Sequence, residues 1–102
     1  MEGSRTSSFW RDLRHILERF EEVHGEDAGL RFVEALEETI DLIERFPDLG
    51  SPWESARPRR SGLRFQTDKG FEKYVVVYRR GDDGVTFLRV SHGSRNIEDS
   101  LG

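Results

Sequence analysis

The side chains best suited to chemistry lie in the second half of the chain, and most of them are arginines. They are Arg57, Arg59, Arg60, Arg64, Arg79, Arg80, Arg89 and Arg95. A guanidinium group binds a phosphate or a carboxylate through two parallel hydrogen bonds, so a cluster of them suits a phosphate or an acidic partner. The alternative is that they pair with acidic residues of the same chain, such as Glu72, Glu98 and Asp99. The sequence leaves both interpretations open.

His92 is the histidine best placed for chemistry, because it stands just before the polar run Gly93-Ser94-Arg95-Asn96. Imidazole titrates near neutral pH and can act as a general acid or base. A histidine at the end of a strand more often makes only a structural hydrogen bond. The chain has no cysteine, and no two of its three histidines have ligand spacing. We therefore expect no metal site and, without a phosphate-binding or nucleophile motif, no cofactor.

The net charge of −4 hides an asymmetry between the two halves of the chain. Residues 1–50 carry 13 acidic and 6 basic residues, whereas residues 51–102 carry 7 acidic and 10 basic residues. The overall acidity argues against a general nucleic-acid binder, and we expect no sequence-specific DNA binding by this chain alone. The asymmetry suits a charged protein partner, although charge alone favours an ordinary solvated surface.

Hydropathy gives no indication of a membrane protein. The longest apolar run, Tyr74 to Tyr78, is far too short to span a bilayer. The N-terminal residues 1–5 lead into no apolar segment of the kind found in secretory signals. We therefore expect no membrane partner and a cytoplasmic location, which the absence of cysteine also fits.

Apolar spacings of three and four predict two helices in the first half. The first runs from Ser4 to His24, with Ser7 or Ser8 as its cap, and the second runs from about Asp27 to Phe46. Gly25 ends the first helix and Pro47 stops the second. Because so few residues join them, the two helices must form an antiparallel hairpin.

The second half predicts a long loop followed by three strands. Residues 47–62 contain three prolines and no periodicity, and Trp53 is expected to pin this loop to the core. The strands are Leu63 to Thr67, Tyr74 to Tyr78 and Val85 to Val90, and Gly81 to Gly84 joins the last two as a hairpin. If the strands align, Arg64 and Arg89 share a face of the sheet.

These elements predict a single α+β domain over residues 1–102. A helical hairpin packs on a three-stranded antiparallel sheet, or a four-stranded one if residues 1–5 add a strand. That N-terminal segment is short and polar, so the sheet is expected to expose an edge there.

The ordered motifs of the chain resemble those of the RelE/ParE toxin superfamily over nearly its full length. They are Asp12-Leu13-x-x-Ile16, Phe32-x-x-Ala35-Leu36-x-x-x-Ile40-x-x-Ile43, Phe46-Pro47-x-x-Gly50, Leu63-Arg64, Tyr74-x-Val76-x-Tyr78-Arg79 and Val85-x-x-x-Arg89-Val90-x-His92-Gly93-Ser94-Arg95-Asn96-Ile97. The last block is most similar to the ParE branch. The resemblance implies a bacterial toxin of a type II toxin–antitoxin system, with a cognate antitoxin that wraps and neutralises it.

Two modes of action follow from the resemblance. ParE-type toxins are associated with poisoning DNA gyrase and have no catalytic residues, which would make Arg57, Arg59, Arg60, Arg64 and Arg79 candidates for contact with the target or the antitoxin. RelE-type toxins are instead associated with ribosome-dependent cleavage of mRNA.

For a ribonuclease, the candidate catalytic residues would be Arg64, Arg89, His92 and Arg95. The chain has no lysine in its loop and no tyrosine after Tyr78, whereas loop lysines and a C-terminal tyrosine are typical of that branch. We therefore favour protein binding over RNA cleavage, with an inactive solitary homologue as a third alternative.

Overall fold

The computed structural model describes residues 3–52 and 62–92, and the fold is described for those residues. Helix α1 spans Ser7–His24 and helix α2 spans Glu26–Arg45. Gly25 alone joins them and has φ of 88°, a left-handed conformation that glycine adopts without steric cost. The predicted helical hairpin is therefore present, with the shortest connection that two helices can have.

The helix ends differ slightly from the prediction. Thr6, rather than Ser7 or Ser8, caps α1, because its backbone is extended and its hydroxyl accepts from the Phe9 amide at 3.1 Å. Helix α2 begins at Glu26 with Gly25 in the N-cap position, and no side chain caps that end. Phe46 lies beyond the end of α2 and is 59% exposed, so it does not belong to the buried stripe.

The described sheet has five strands in the order β1-β5-β4-β3-β2. They are β1 (Gly3–Arg5), β2 (Ser51–Pro52), β3 (Leu63–Asp68), β4 (Phe71–Arg80) and β5 (Val85–His92). Strand β1 pairs with β5 in parallel, and the other pairs are antiparallel. The α+β class is confirmed, but the described sheet is mixed and has one strand more than the four-stranded alternative, in which residues 1–5 add a strand.

Strand β2 was missed and β1 was only an alternative, because neither strand has an apolar pattern of its own. Strand β1 is held by its register with Val85 to Phe87. Thr6 extends this contact, because its amide donates to the Phe87 carbonyl at 3.1 Å and its hydroxyl donates to the Leu88 carbonyl at 2.9 Å. The partner backbone, rather than side-chain burial, therefore fixes the edge that the sequence predicted to be exposed.

The core lies between the helical hairpin and one face of the sheet. The helices contribute Phe9, Leu13, Phe32, Leu36, Ile40 and Ile43, and the sheet contributes Val76, Tyr78, Val85, Phe87 and Val90. Each large side chain buried in this way stabilises the fold by about 1.5–3 kcal/mol. The register of β4 and β5 shifts between Val77 and Tyr78, which brings Tyr78 opposite Phe87 while Val77 stays opposite Arg89. This irregularity decides where the side chains of β5 point.

Candidate functional site

The structure describes four of the predicted site residues and leaves the rest outside. Arg64 lies in β3, Arg79 near the end of β4, and Arg89 and His92 in β5. Arg57, Arg59, Arg60 and Arg95 lie outside the described residues, as does Trp53. The geometry of the candidate site is therefore built from the sheet and the faces of the helices that it meets.

Arg89 is held by a carboxylate of the first helix. Its Nε donates to Asp12 Oδ2 at 2.6 Å and its Nη2 donates to Asp12 Oδ1 at 2.8 Å. The Val90 amide donates to the same Oδ2 at 3.1 Å. The hydrogen bond to Asp12 raises the pKa of Arg89 above its ordinary value, against the opposing effect of burial. This fork joins α1 to β5, which is a structural use of the arginine.

Arg64 and Arg80 converge on the turn that follows α2. Arg64 Nη1 donates to the Gly50 carbonyl at 2.6 Å, and its Nη2 lies 3.7 Å from Asp48 Oδ1. Arg80 Nη1 donates to both carboxylate oxygens of Asp48, at 2.9 and 3.0 Å. The carboxylates that pair with Arg64, Arg80 and Arg89 are thus Asp12 and Asp48. Of the acidic partners that the sequence suggested, Glu98 and Asp99 lie outside the described residues.

The prediction that Arg64 and Arg89 share a face of the sheet is wrong. Arg64 stands opposite Tyr78, a residue of the core, whereas Arg89 stands opposite Val77, which belongs to a separate cluster with Val75. The two guanidinium groups meet different segments, because Arg64 contacts the turn after α2 and Arg89 contacts α1. Arg79 is exposed, opposite Leu63 and Thr86. Arg64 and Arg89 therefore make separate contacts instead of forming one cluster.

The Tyr78 hydroxyl also binds the turn that follows α2. It donates to the Pro47 carbonyl at 2.7 Å and accepts from the Gly50 amide at 2.9 Å. Burial raises the pKa of Tyr78 above its ordinary value, which keeps the hydroxyl protonated as a donor. Gly50 must be glycine here, because an added Cβ would lie 2.6 Å from the Phe65 carbonyl oxygen and 2.7 Å from the Tyr78 hydroxyl.

A cavity of about 810 Å³ lies between α1 and the end of β5. Helix α1 lines it with His15, Ile16, Arg19 and Val23, among others, and the sheet lines it with Tyr74, Val90 and His92. The His92 ring meets the Tyr74 ring edge to face, with centroids 5.1 Å apart. Histidine and arginine side chains thus line one open space here, and His15 and Arg19 were not predicted as site residues.

No group of three or more potential ligands could hold a metal ion within residues 3–52 and 62–92. Neither of the two described helices is long and apolar enough to cross a membrane.

Sequence reasoning missed Asp12, Asp48, Gly50 and Tyr78 as functional positions, although three of them stood within recognised motifs. A signal for Asp12 was available. It falls on the apolar stripe of α1, between Phe9 and Leu13, where a carboxylate needs a partner. No comparable signal pointed to Asp48, because its partners come from β3 and β4.

A helical hairpin on this sheet is the architecture of RelE/ParE-type toxins, and comparisons with known proteins agree. The model of the family described as ParE toxin of type II toxin-antitoxin system, parDE, matches residues 4–97. The chain belongs to the ParE toxin family. A comparison with curated protein sequences found no match.

Solved structures share the fold at low sequence identity. The chromosomal ParDE toxin–antitoxin system from P. aeruginosa matches with a TM-score of 0.74 and 20% identity, covering 90% of this chain and 95% of that chain. The toxin–antitoxin complex RelBE2 from Mycobacterium tuberculosis matches with a TM-score of 0.55 and 22% identity, over 88% of this chain and 94% of that chain. The YoeB/ParE toxin from Agrobacterium tumefaciens matches with a TM-score of 0.56 and 22% identity, over 90% and 98%.

Proposed function

We propose that this protein inhibits bacterial growth by binding a protein target, DNA gyrase, and that a cognate antitoxin neutralises it. The observation that carries the choice of binding over catalysis is the commitment of Arg64 and Arg89 to the fold. Both are engaged by backbone or carboxylate groups of the helical layer. An RNA phosphate would have to compete with a bidentate carboxylate for Arg89, at a cost in folding free energy. The match to the ParE family supports the same choice.

The proposed target places the action of the toxin in the cytoplasm. We propose Arg57, Arg59, Arg60 and Arg79 as the contacts with the target or the antitoxin. Arg79 is exposed on β4, and Arg57, Arg59 and Arg60 precede β3 in the sequence. Arginine is enriched at the energetic centres of protein interfaces, because its planar head pairs with carboxylates and stacks on aromatic rings.

The proposal is tested by titrating the purified protein into a gyrase supercoiling assay. We expect supercoiling to fall as the protein is added, and to recover when the product of the neighbouring small reading frame is supplied. Arg79→Glu should weaken inhibition, whereas Arg14→Glu, a change at an exposed arginine of α1, should leave it unchanged. Unchanged supercoiling at a large excess of wild-type protein would contradict the choice of gyrase.

The second candidate function is ribosome-dependent cleavage of mRNA, and the cavity beside His92 is the observation that favours it. His92, His15 and Arg19 line one open space, where an imidazole can move a proton and an arginine can stabilise developing charge on a phosphate. The predicted residues for this activity are Arg64, Arg89, His92 and Arg95.

The test of this candidate is cleavage of mRNA on purified ribosomes. Loss of cleavage in His92→Ala with normal unfolding behaviour would support it, whereas Arg89→Ala is uninformative unless its folding is measured in parallel. If the wild-type protein cleaves nothing, this candidate is excluded. If expression of the chain alone also leaves growth unchanged, the inactive homologue remains as the interpretation.

A further inference from the structure

Asp68 is a fully buried carboxylate at the end of β3, where the chain turns into β4. The Thr39 hydroxyl on α2 donates to Asp68 Oδ1 at 2.9 Å and accepts from the Lys69 amide at 3.3 Å. Thr39 thus ties both the carboxylate and the turn to the second helix. The strand predicted from the sequence ended at Thr67, and no role was predicted for Asp68.

The second oxygen of this carboxylate lacks a hydrogen bond from the described residues. Asp68 Oδ2 is buried and has no hydrogen-bond partner among the described residues. A buried charge that lacks partners is costly, and it is relieved when the group takes up a proton. The unpaired oxygen marks the place where that proton would be held.

The acidic side chains near Asp68 increase the cost of its ionisation. Glu38 on α2 and Glu72 on β4 are both acidic, and the turn itself contributes Lys69. Burial raises the pKa of Asp68 to about 6, the hydrogen bond from Thr39 opposes this, and the charges of Glu72 and Glu38 add to it.

The turn also positions an aromatic anchor of the core. Phe71 stands opposite Asp68 in the register of β3 and β4. Its ring packs against Phe32, with centroids 5.2 Å apart, and against Phe20 at 5.7 Å. If the turn opens, the packing of Phe71 against both helices is therefore disturbed as well.

We propose that Asp68 is a proton-operated latch, which holds the β3–β4 turn on α2 more firmly at mildly acidic pH than at neutral pH. The latch is independent of the proposed toxin activity, since it involves none of the residues assigned to the target. In the protonated state the buried group is neutral and keeps its bond to Thr39. In the ionised state an uncompensated charge faces two further carboxylates, so local opening into water becomes more favourable.

The direction of the effect follows from proton linkage. The folded group has a pKa of about 6 and the ordinary value is 3.8, so the closed state binds more protons than the open state between these limits. Closure is therefore favoured as pH falls from 7 towards 4 and is weakened as pH rises through 6.

Amide hydrogen exchange, followed by NMR between pH 5 and pH 7.5, tests the latch. After correction for intrinsic exchange, the Lys69 amide should be protected roughly tenfold more at pH 5 than at pH 7 in the wild type. Asp68→Asn should abolish this difference, because the amide does not titrate. The exposed Asp82→Asn in the opposite hairpin should retain it. Equal pH dependence in the wild type and Asp68→Asn would overturn the proposal.

Two further readouts keep the test decisive. The Gly81 amide, which bonds to the Gly84 carbonyl at 2.7 Å, serves as an internal reference. An equal change there would show that the whole fold responds rather than this turn, and would overturn the latch. A carboxyl carbon titration of the wild type needs no variant. A midpoint for Asp68 near 6 supports the proposal, and a midpoint at about 4 or below contradicts it.

Discussion

Tyr78 shows how one hydroxyl can hold a turn that lies far from it in sequence. The group donates to the Pro47 carbonyl and accepts from the Gly50 amide, so it satisfies two backbone groups that no helix or strand pairs. A buried backbone group without a partner costs about 1–3 kcal/mol. The tyrosine therefore contributes through the turn as well as through its ring.

The change Tyr78→Phe keeps the ring in the core and removes the hydroxyl alone. We expect the free energy of unfolding to fall by about 1–3 kcal/mol, because the Gly50 amide and the Pro47 carbonyl lose their partner. Denaturant unfolding measures this change. Tyr74→Phe, in the same aromatic cluster but only half-buried, is the matched control and should stay within about 0.5 kcal/mol. Equal losses in the two variants would argue against the role given to the Tyr78 hydroxyl.

At the scale of elements, the contact of α1 with β5 rests on more than apolar packing. Asp12 occupies both the Arg89 guanidinium and the Val90 amide, and its own side chain is only 13% exposed. It occupies a backbone donor on β5 beyond Phe87, where the register with β1 ends. The carboxylate therefore fixes α1 on the sheet and protects part of the edge of β5.

A double-mutant cycle on Asp12→Ala and Arg89→Ala measures this link. We expect a coupling energy of about 1–2 kcal/mol, because the pair is bidentate and mostly shielded from solvent. The exposed pair Arg14–Glu18, with side chains 69% and 67% exposed, is the control. Its coupling should not exceed about 0.5 kcal/mol. If the coupling energy of Asp12 and Arg89 is no larger than that of the control pair, Arg89 would be available for the proposed catalytic role.

At the scale of the whole molecule, the sheet is completed by a strand of three residues. Strand β1 covers Val85 to Phe87 and ends in Arg5, whose guanidinium pairs with both oxygens of Glu37 at 2.6 and 2.8 Å. This arrangement connects the outer strand to the second helix. It also covers the first half of β5, which would otherwise present unpaired backbone groups to other chains.

Removal of residues 1–5 tests this function of β1. We expect the free energy of unfolding to fall by about 1–2 kcal/mol, since each lost hydrogen bond is worth roughly 0.5–1.5 kcal/mol. We also expect self-association that increases with concentration, detected by analytical ultracentrifugation. Glu37→Ala is the control, because it removes the partner of Arg5 and keeps the strand, so it should remain monodisperse to the same degree as the wild type. A truncated protein that behaves like the wild type would contradict the role assigned to β1.

The sequence by itself determined the helices, the three central strands and the family. These features depend on local signals: apolar spacing along α1 and α2, the stops at Gly25 and Pro47, and alternation along β3. Each is set by neighbours within a few residues, so the chain carries the information without its tertiary context. The ordered motifs then pointed to the toxin superfamily, and the match over residues 4–97 agrees.

Only the tertiary structure decided which partner each polar group meets. Asp12 and Arg89 are 77 residues apart, and Arg80 and Asp48 are 32 residues apart. The strand β1 pairs with the last strand of the described sheet. Such contacts depend on register and on the bulge in β4–β5, and no local pattern encodes them. The arginines that first suggested a phosphate-binding cluster show this most clearly, since folding joins Arg64 to the turn after α2 and Arg89 to helix α1.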